Sequence, residues 1–227
     1  MPSSQAVRVK ICGPTRLEEA LQAVEAGASY IGLVFFPPSP RALTPEQALP
    51  ILQAIPEHVT RVALTVDAED ALIDTLARLP LDMLQLHGWE SPQRVAQLRA
   101  RLGLPMMKAI GVRTLDDLDQ VPIYAGVADQ ILIDAKAPEG ASRPGGNALA
   151  FDWNLIAGYD WPCPWMLAGG LTPDNAAEAV ARTGARQLDV SSGVESTPGR
   201  KDPALMRAFV AAARHAAPST RARLRGS

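Results

Sequence analysis

The 227-residue sequence has no surplus of basic charge: Lys plus Arg number 22 against 24 Asp plus Glu, a formal net charge of −2. Binding a nucleic-acid backbone calls for such a surplus, so a nucleic-acid partner is not expected. A small anionic ligand, held by one local positive pocket, is not excluded. Cysteine is scarce, Cys12 and Cys163 being the two present. One bridge at most is no disulfide framework, and the count fits a reducing, cytoplasmic setting. Long apolar runs are missing. The longest, about Tyr30 to Phe36, falls far short of the roughly 20 residues of a membrane span. Met1 to Lys10 lacks the apolar stretch of a secretory signal, so neither export nor a membrane partner is expected. Also absent after the first apolar run is the Gly-x-Gly-x-x-Gly fingerprint of an open dinucleotide-binding sheet.

What is present is regular. Hydrophobic residues make up 47% and charged residues 20%, an ordinary globular balance. Eight short apolar runs stand at Val7–Cys12, Tyr30–Val34, Arg61–Val66, Met83–Leu86, Met106–Ile110, Gln130–Ile133, Trp165–Ala168 and Gln187–Val190. They have the length of strands, and helical periodicity fills the gaps, as at Leu17, Ala20, Leu21 and Val24. Alternation of this kind predicts repeated βα units and a parallel sheet. Eight units predict an α/β protein folded as a single closed (β/α)8 barrel over residues 1–217, with an open doubly wound sheet as the rival. The tail 218–227, carrying Arg221, Arg223 and Arg225, is expected to be a disordered extension outside the fold. Thr44-Pro45, Ser91-Pro92 and Thr172-Pro173 read as helix caps followed by proline, and Pro50 is expected to shorten the second helix. The glycine- and proline-bearing stretch Ala135 to Ala150 reads as a long loop on the active face.

Strand alternation assigns faces. Val7, Val9 and Ile11 should meet the outer helices, leaving Lys10 and Cys12 inside. By the same parity Gln85 and His87, Gln130, Leu132 and Asp134, and Asp189 and Ser191 point inward. Polar groups therefore gather at the C-terminal ends of the strands, where barrel enzymes keep their chemistry. Lys10 and Asp189 lie on strands that become neighbours when a barrel closes. They form a structural ion pair, or Lys10 tunes Cys12.

In order along the chain, these segments resemble those of phosphoribosylanthranilate isomerase, the TIM barrel family of tryptophan biosynthesis. The matching segments are Val9-Lys10-Ile11-Cys12-Gly13, Phe35-Phe36-Pro37-Pro38-Ser39-Pro40-Arg41, Gln85-Leu86-His87-Gly88 and Leu132-Ile133-Asp134. They continue through Phe151-Asp152-Trp153, Ala168-Gly169-Gly170-Leu171 and Asp189-Val190-Ser191-Ser192-Gly193-Val194-Glu195. The resemblance implies an intramolecular oxidoreductase, an aldose–ketose isomerase acting on a small phosphorylated substrate. It opens the ribose of N-(5-phosphoribosyl)anthranilate to the 1-deoxyribulose 5-phosphate by an Amadori rearrangement. It further implies Asp134 as general acid and Cys12 as general base, with no metal or organic cofactor needed. Arg41 would bind the anthranilate carboxylate, with His87 and Asp189 lining the substrate, although His87 also reads as a hydrogen-bonded core histidine. Gly169, Gly170, Ser191, Ser192 and Gly193 would bind the phosphate, where barrels usually build that site. Asp189 competes with Asp134 as the acid. Only the thiolate of Cys12 can accept a proton, so a neighbouring cation should draw the thiol down, and Lys10 is the candidate. Asp134 must hold a proton near neutral pH. A monomer or a homodimer fits equally.

Two departures stand out. Where the family usually carries Gly-Gly-Ser/Thr-Gly before Phe-Asp-Trp, this chain reads Gly145-Gly146-Asn147-Ala148-Leu149-Ala150, and Thr65-Val66-Asp67 stands where Phe-Val-Asn is common. The alternatives are a histidine-pathway type of sugar-phosphate isomerase, which uses two aspartates, and a barrel that binds a phosphorylated ligand without catalysis.

Overall fold

In a computed structural model of the protein, residues 6–136 and 152–216 are described. Most of the loop after the sixth strand, with Phe151, and the Arg-bearing tail lie outside the described residues. Eight strands close a parallel barrel in sequence order. They are β1 (Arg8–Cys12), β2 (Tyr30–Val34), β3 (Thr60–Thr65), β4 (Met83–Leu86), β5 (Met106–Val112), β6 (Gln130–Ala135), β7 (Trp165–Leu167) and β8 (Gln187–Val190). Closure is made by β8 on β1, in a register that sets Lys10 beside Asp189.

Seven helices are described: α1 (Leu17–Glu25), α2 (Pro45–Ala54), α3 (Asp70–Leu76), α4 (Pro92–Leu102), α5 (Gln120–Ala125), α6 (Ala176–Thr183) and α7 (Pro203–His215). Between β6 and β7 the described residues form one 3₁₀ turn, Trp153–Leu155. After β8 another 3₁₀ turn, Ser192–Val194, leads into a hairpin of β9 (Glu195–Thr197) and β10 (Arg200–Lys201). No described helix is long and apolar enough to cross a membrane.

The alternation read from the sequence holds. Val9, Ile11, Ile31, Leu33, Leu84, Ile131, Ile133 and Leu188 pack in one buried cluster with helix residues such as Ala20, Leu52, Leu98, Val180 and Phe209. Inside the barrel, Tyr30, Val62, Met83, Met107, Leu132 and Met166 form a separate apolar layer. Unbranched methionines suit a lumen made irregular by the polar side chains above and below.

Local punctuation decides the helix ends. Thr44 caps α2 through a reciprocal box with Gln47, and Ser91 caps α4 by accepting from the Arg94 N–H. Two expectations are corrected. Pro50 does not shorten α2, which runs on to Ala54. The residue is exposed, so its ring meets solvent and the chain loses one intrahelical bond. Thr172 does not cap α6, which begins at Ala176. The Asn175 side chain accepts from the Thr172 N–H at 2.8 Å and donates to the Gly170 carbonyl at 3.0 Å. Thr172 to Asn175 therefore form a turn that braces the loop after β7.

Candidate active site

On the β1–β8 wall, Lys10 is completely buried and its Nζ lies 2.9 Å from Asp189 Oδ1. The ion pair expected of these two residues is formed. Gly32 lies opposite them on β2. A Cβ at Gly32 would come within 2.9 Å of Lys10 Cε and Nζ and 3.1 Å of Cys12 Sγ. Burial alone would push the Lys10 ammonium down, but Asp189 and Cys12 outweigh it and hold its pKa above the usual lysine value. For Cys12, burial pushes the thiol up; Lys10 and Lys201 pull it down and Asp189 adds to the rise, leaving it raised. The expectation that Lys10 draws Cys12 below an ordinary thiol is thus corrected. Burial is the larger effect and outweighs the pull of Lys10 on the thiol.

Across the barrel, β4 and β6 bring His87 to Asp134, with Nε2 3.3 Å from Oδ2. Gln85 Nε2 sits 3.0 Å from His87 Nδ1. The ring thus meets Gln85 through Nδ1 and Asp134 through Nε2. The Ala135 N–H donates to Asp134 Oδ1 at 2.8 Å. A Cβ at Gly169 (φ +83°) would fall 2.6 Å from that nitrogen and 3.0 Å from the carboxylate, so the β7 loop closes directly on the aspartate. His87 faces the site rather than the core alone.

The His87 loop is clamped from behind by groups the sequence reading did not assign. Glu90 accepts from the Asp67 and Gly88 N–H groups and pairs with Lys108 at 2.9 Å, both side chains buried. Lys108 also donates to the Gly88 carbonyl at 2.6 Å. Asp67 accepts from the Trp89 N–H at 2.7 Å and has φ +45°. Asp and Asn share both a tolerance of that conformation and a side-chain acceptor, so the departure at this position preserves the turn.

Arg41 lies against Gly13, where a Cβ would meet its Cδ at 2.4 Å. Its guanidinium is already engaged: Nε and Nη2 donate to the two oxygens of Glu195 at 2.6 and 2.8 Å. Lys201 donates to Glu195 at 2.7 Å and to the hydroxyl and carbonyl of Ser191 at 3.2 and 3.0 Å. The Ser191 hydroxyl donates to the Cys12 carbonyl at 2.9 Å. Glu195 stood in a segment matched to the family, but nothing there marked its partner; Lys201 gave no signal. Beyond β7 and β8, Gly169 and Gly170 take φ of +83° and +64°. A Cβ at Gly193 would fall 1.9 Å from the Leu171 carbonyl, so the two loops touch. Among the described residues no backbone carbonyl accepts from the N–H groups of Gly169, Gly170 or Gly193. Together these loops can hold an anion at the mouth.

The described geometry thus brings Cys12 and Lys10 together on one wall and His87 and Asp134 on the facing one, with Arg41 beside Cys12 and the glycine loops between. A model of the family described as N-(5'phosphoribosyl)anthranilate (PRA) isomerase matches residues 9–212. The isomerase of that name from Cereibacter sphaeroides is 60% identical over 209 residues, covering 92% of this chain and 99% of the relative. Its counterpart from Paramagnetospirillum magneticum is 54% identical over 213 residues, covering 93% and 99%. Among solved structures, phosphoribosyl anthranilate isomerase from Thermotoga maritima superposes with a TM-score of 0.80 at 38% identity, covering 91% and 98%. A structure of phosphoribosyl anthranilate isomerase in complex with reduced 1-(o-carboxyphenylamino)-1-deoxyribulose 5-phosphate has a TM-score of 0.78 at 35% identity, with coverages of 91% and 98%.

Proposed function

This chain belongs to the N-(5'-phosphoribosyl)anthranilate isomerase family, and from that premise we propose that Cys12 and Asp134 are the base and acid of its aldose–ketose isomerisation in tryptophan biosynthesis. The observation that carries the assignment is their placement. Both are at lumen-facing strand ends, three strands apart around the closed barrel, each with polar partners fixed by packing.

Asp134 delivers its proton to the furanose ring oxygen as the C1′–O bond breaks. The anthranilate nitrogen supplies its lone pair, giving an open-chain iminium. Cys12, as thiolate, then removes the C2′ proton, and the released electron pair forms C1′=C2′ while the iminium electrons return to nitrogen. The resulting enol tautomerises to the 1-amino-2-ketose. Nitrogen is the electron sink, so acid and base suffice to balance both steps. His87, with Nε2 3.3 Å from its carboxylate, orients Asp134. Lys10 and Lys201 oppose the burial that would keep Cys12 protonated. The Gly169, Gly170, Ser192 and Gly193 backbone holds the phosphate, and the Nη1 edge of Arg41, unpartnered among the described residues, meets the carboxylate. Asp189 acts through Lys10 rather than on substrate, and Ser191 is committed to the Cys12 carbonyl. We place the protein in the cytoplasm, as a monomer or homodimer; the Thermotoga maritima relative is described as dimeric, with monomers generated from it.

Turnover of the fluorescent anthranilate adduct tests this. Wild type should consume it, and Cys12→Ala and Asp134→Asn should each lower kcat by about 10²- to 10⁴-fold. No turnover by wild type would overturn the activity. Variants within about threefold of wild type would overturn only the acid–base assignment.

A further inference from the structure

Arg41, Glu195 and Lys201 form a buried ionic cluster in the β8–β10 region, behind the face of Arg41 that the proposed carboxylate would use. Glu195 receives four donors: Arg41 Nε and Nη2, Lys201 Nζ and, at 3.2 Å, the Gly199 N–H. A carboxylate accepting that many bonds is fully committed and cannot touch substrate. Lys201 has three acceptors for its three N–H groups, as an ammonium should. Two cations and one anion leave the cluster with a single net positive charge, at the point where Arg41 crosses Gly13 beside Cys12.

We infer that Glu195 is a positioning residue for substrate recognition: it takes the Nε–Nη2 edge of Arg41, and so presents the Nη1 edge alone to the aromatic carboxylate. Lys201 tethers Glu195 to the Ser191 turn and keeps it ionised. A guanidinium without that partner has several rotamers and would find the carboxylate by chance. With it, the fork is fixed before substrate arrives, which lowers the ordering cost of binding. Burial would push the Glu195 carboxyl up, yet Arg41 and Lys201 hold it below the usual value, in keeping with a permanent anion. This inference rests on the carboxylate role proposed for Arg41.

The experiment uses two inhibitors: the reduced product analogue carrying the ring carboxylate, and its phenyl counterpart without it. In wild type the carboxylated compound should bind more tightly by about tenfold or more, the value of a charge-assisted hydrogen bond. In Glu195→Gln that preference should collapse. KM should rise with kcat changed much less, and affinity for the phenyl compound should hold. Gln leaves two buried cations sharing one neutral partner, so a second variant guards against loss of folding. Glu195→Gln with Lys201→Met restores the net charge of the cluster and should lose the preference equally. Equal weakening of both inhibitors, or an unchanged preference in a folded variant, would overturn the role of Glu195. A wild-type enzyme that turns over substrate but does not prefer the carboxylated inhibitor would instead overturn the role of Arg41, and this inference with it.

Discussion

Replacing Asp189 with Asn leaves the completely buried Lys10 ammonium without its counter-ion. At the observed 2.9 Å, two unit charges in an effective dielectric of about 20 attract by roughly 6 kcal/mol, before the cost of desolvating both. Forming the pair therefore contributes little net stability. Breaking it is another matter, because the desolvated lysine remains, and a cost of about 3–5 kcal/mol is expected. For a chain of this size that corresponds to a fall in Tm of roughly 6–20 °C. Urea melts at pH 7 of wild type, Asp189→Asn, Lys10→Met and the double variant Lys10→Met/Asp189→Asn form the assay. Each single variant should lose several kcal/mol, while the double, which buries no charge, should recover most of the loss. The folded pKa of Lys10 lies above its usual value of 10.5. Its contribution is thus fully present below about pH 10.5 and is lost as pH rises through the folded value. Asp189→Asn also removes a negative neighbour that keeps the Cys12 thiol up, so alkylation of Cys12 should titrate at lower pH in that variant. A single-variant cost under about 1 kcal/mol, or purely additive effects in the cycle, would refute the buried-pair reasoning.

Gly32→Ala should impair catalysis more than a glycine-to-alanine change in a strand normally would, because its Cβ would press on Lys10 and on the Cys12 sulfur. A kcat within about twofold of wild type would count against it. Glu90→Ala strands the buried Lys108 and frees the Gly88 and Asp67 N–H groups, so a loss of about 3–5 kcal/mol is expected in denaturant melts. A fall in activity from the displaced His87 should accompany it in whatever protein remains folded. Asp117 is held down to about 2 from 3.8: burial pushes it up, but Lys136 and the N–H groups of Thr114 and Arg113 prevail. That depression contributes on the order of 2 kcal/mol, present above about pH 4 and lost as pH falls through about 2. The stability gap between wild type and Asp117→Asn should therefore close on acidification, and a gap that stays constant down to pH 2 would contradict the shift.

The division between what the sequence revealed and what it withheld follows from the range of each signal. Strand parity is local. Knowing that Val9 and Ile11 face the helices was enough to turn Lys10 and Cys12 inward, and the same rule placed His87, Asp134 and Asp189. Barrel closure then supplied one long-range contact without further information, Lys10 with Asp189, because the first and last strands must meet. Side chains beyond the eight barrel strands obey no such rule. Arg41 and Glu195 are separated by 154 positions, and neither parity nor spacing could pair them. Lys108 was harder still: it sits on a strand with its side chain on the helix-facing side, yet turns upward to Glu90 and the Gly88 carbonyl. The Thr172 cap failed for a related reason, since Asn175 had a loop to brace and the helix began only after it. Cys12 and Asp134, the proposed base and acid, were therefore legible as inward-facing residues at strand ends, whereas the contacts of Arg41 and of the His87 loop are made by partners that parity does not reach. A chemical role can be read from a residue's position in a repeating unit. The orientation of a side chain such as Arg41 cannot, because it is set by a partner that the chain reaches only after the barrel has closed.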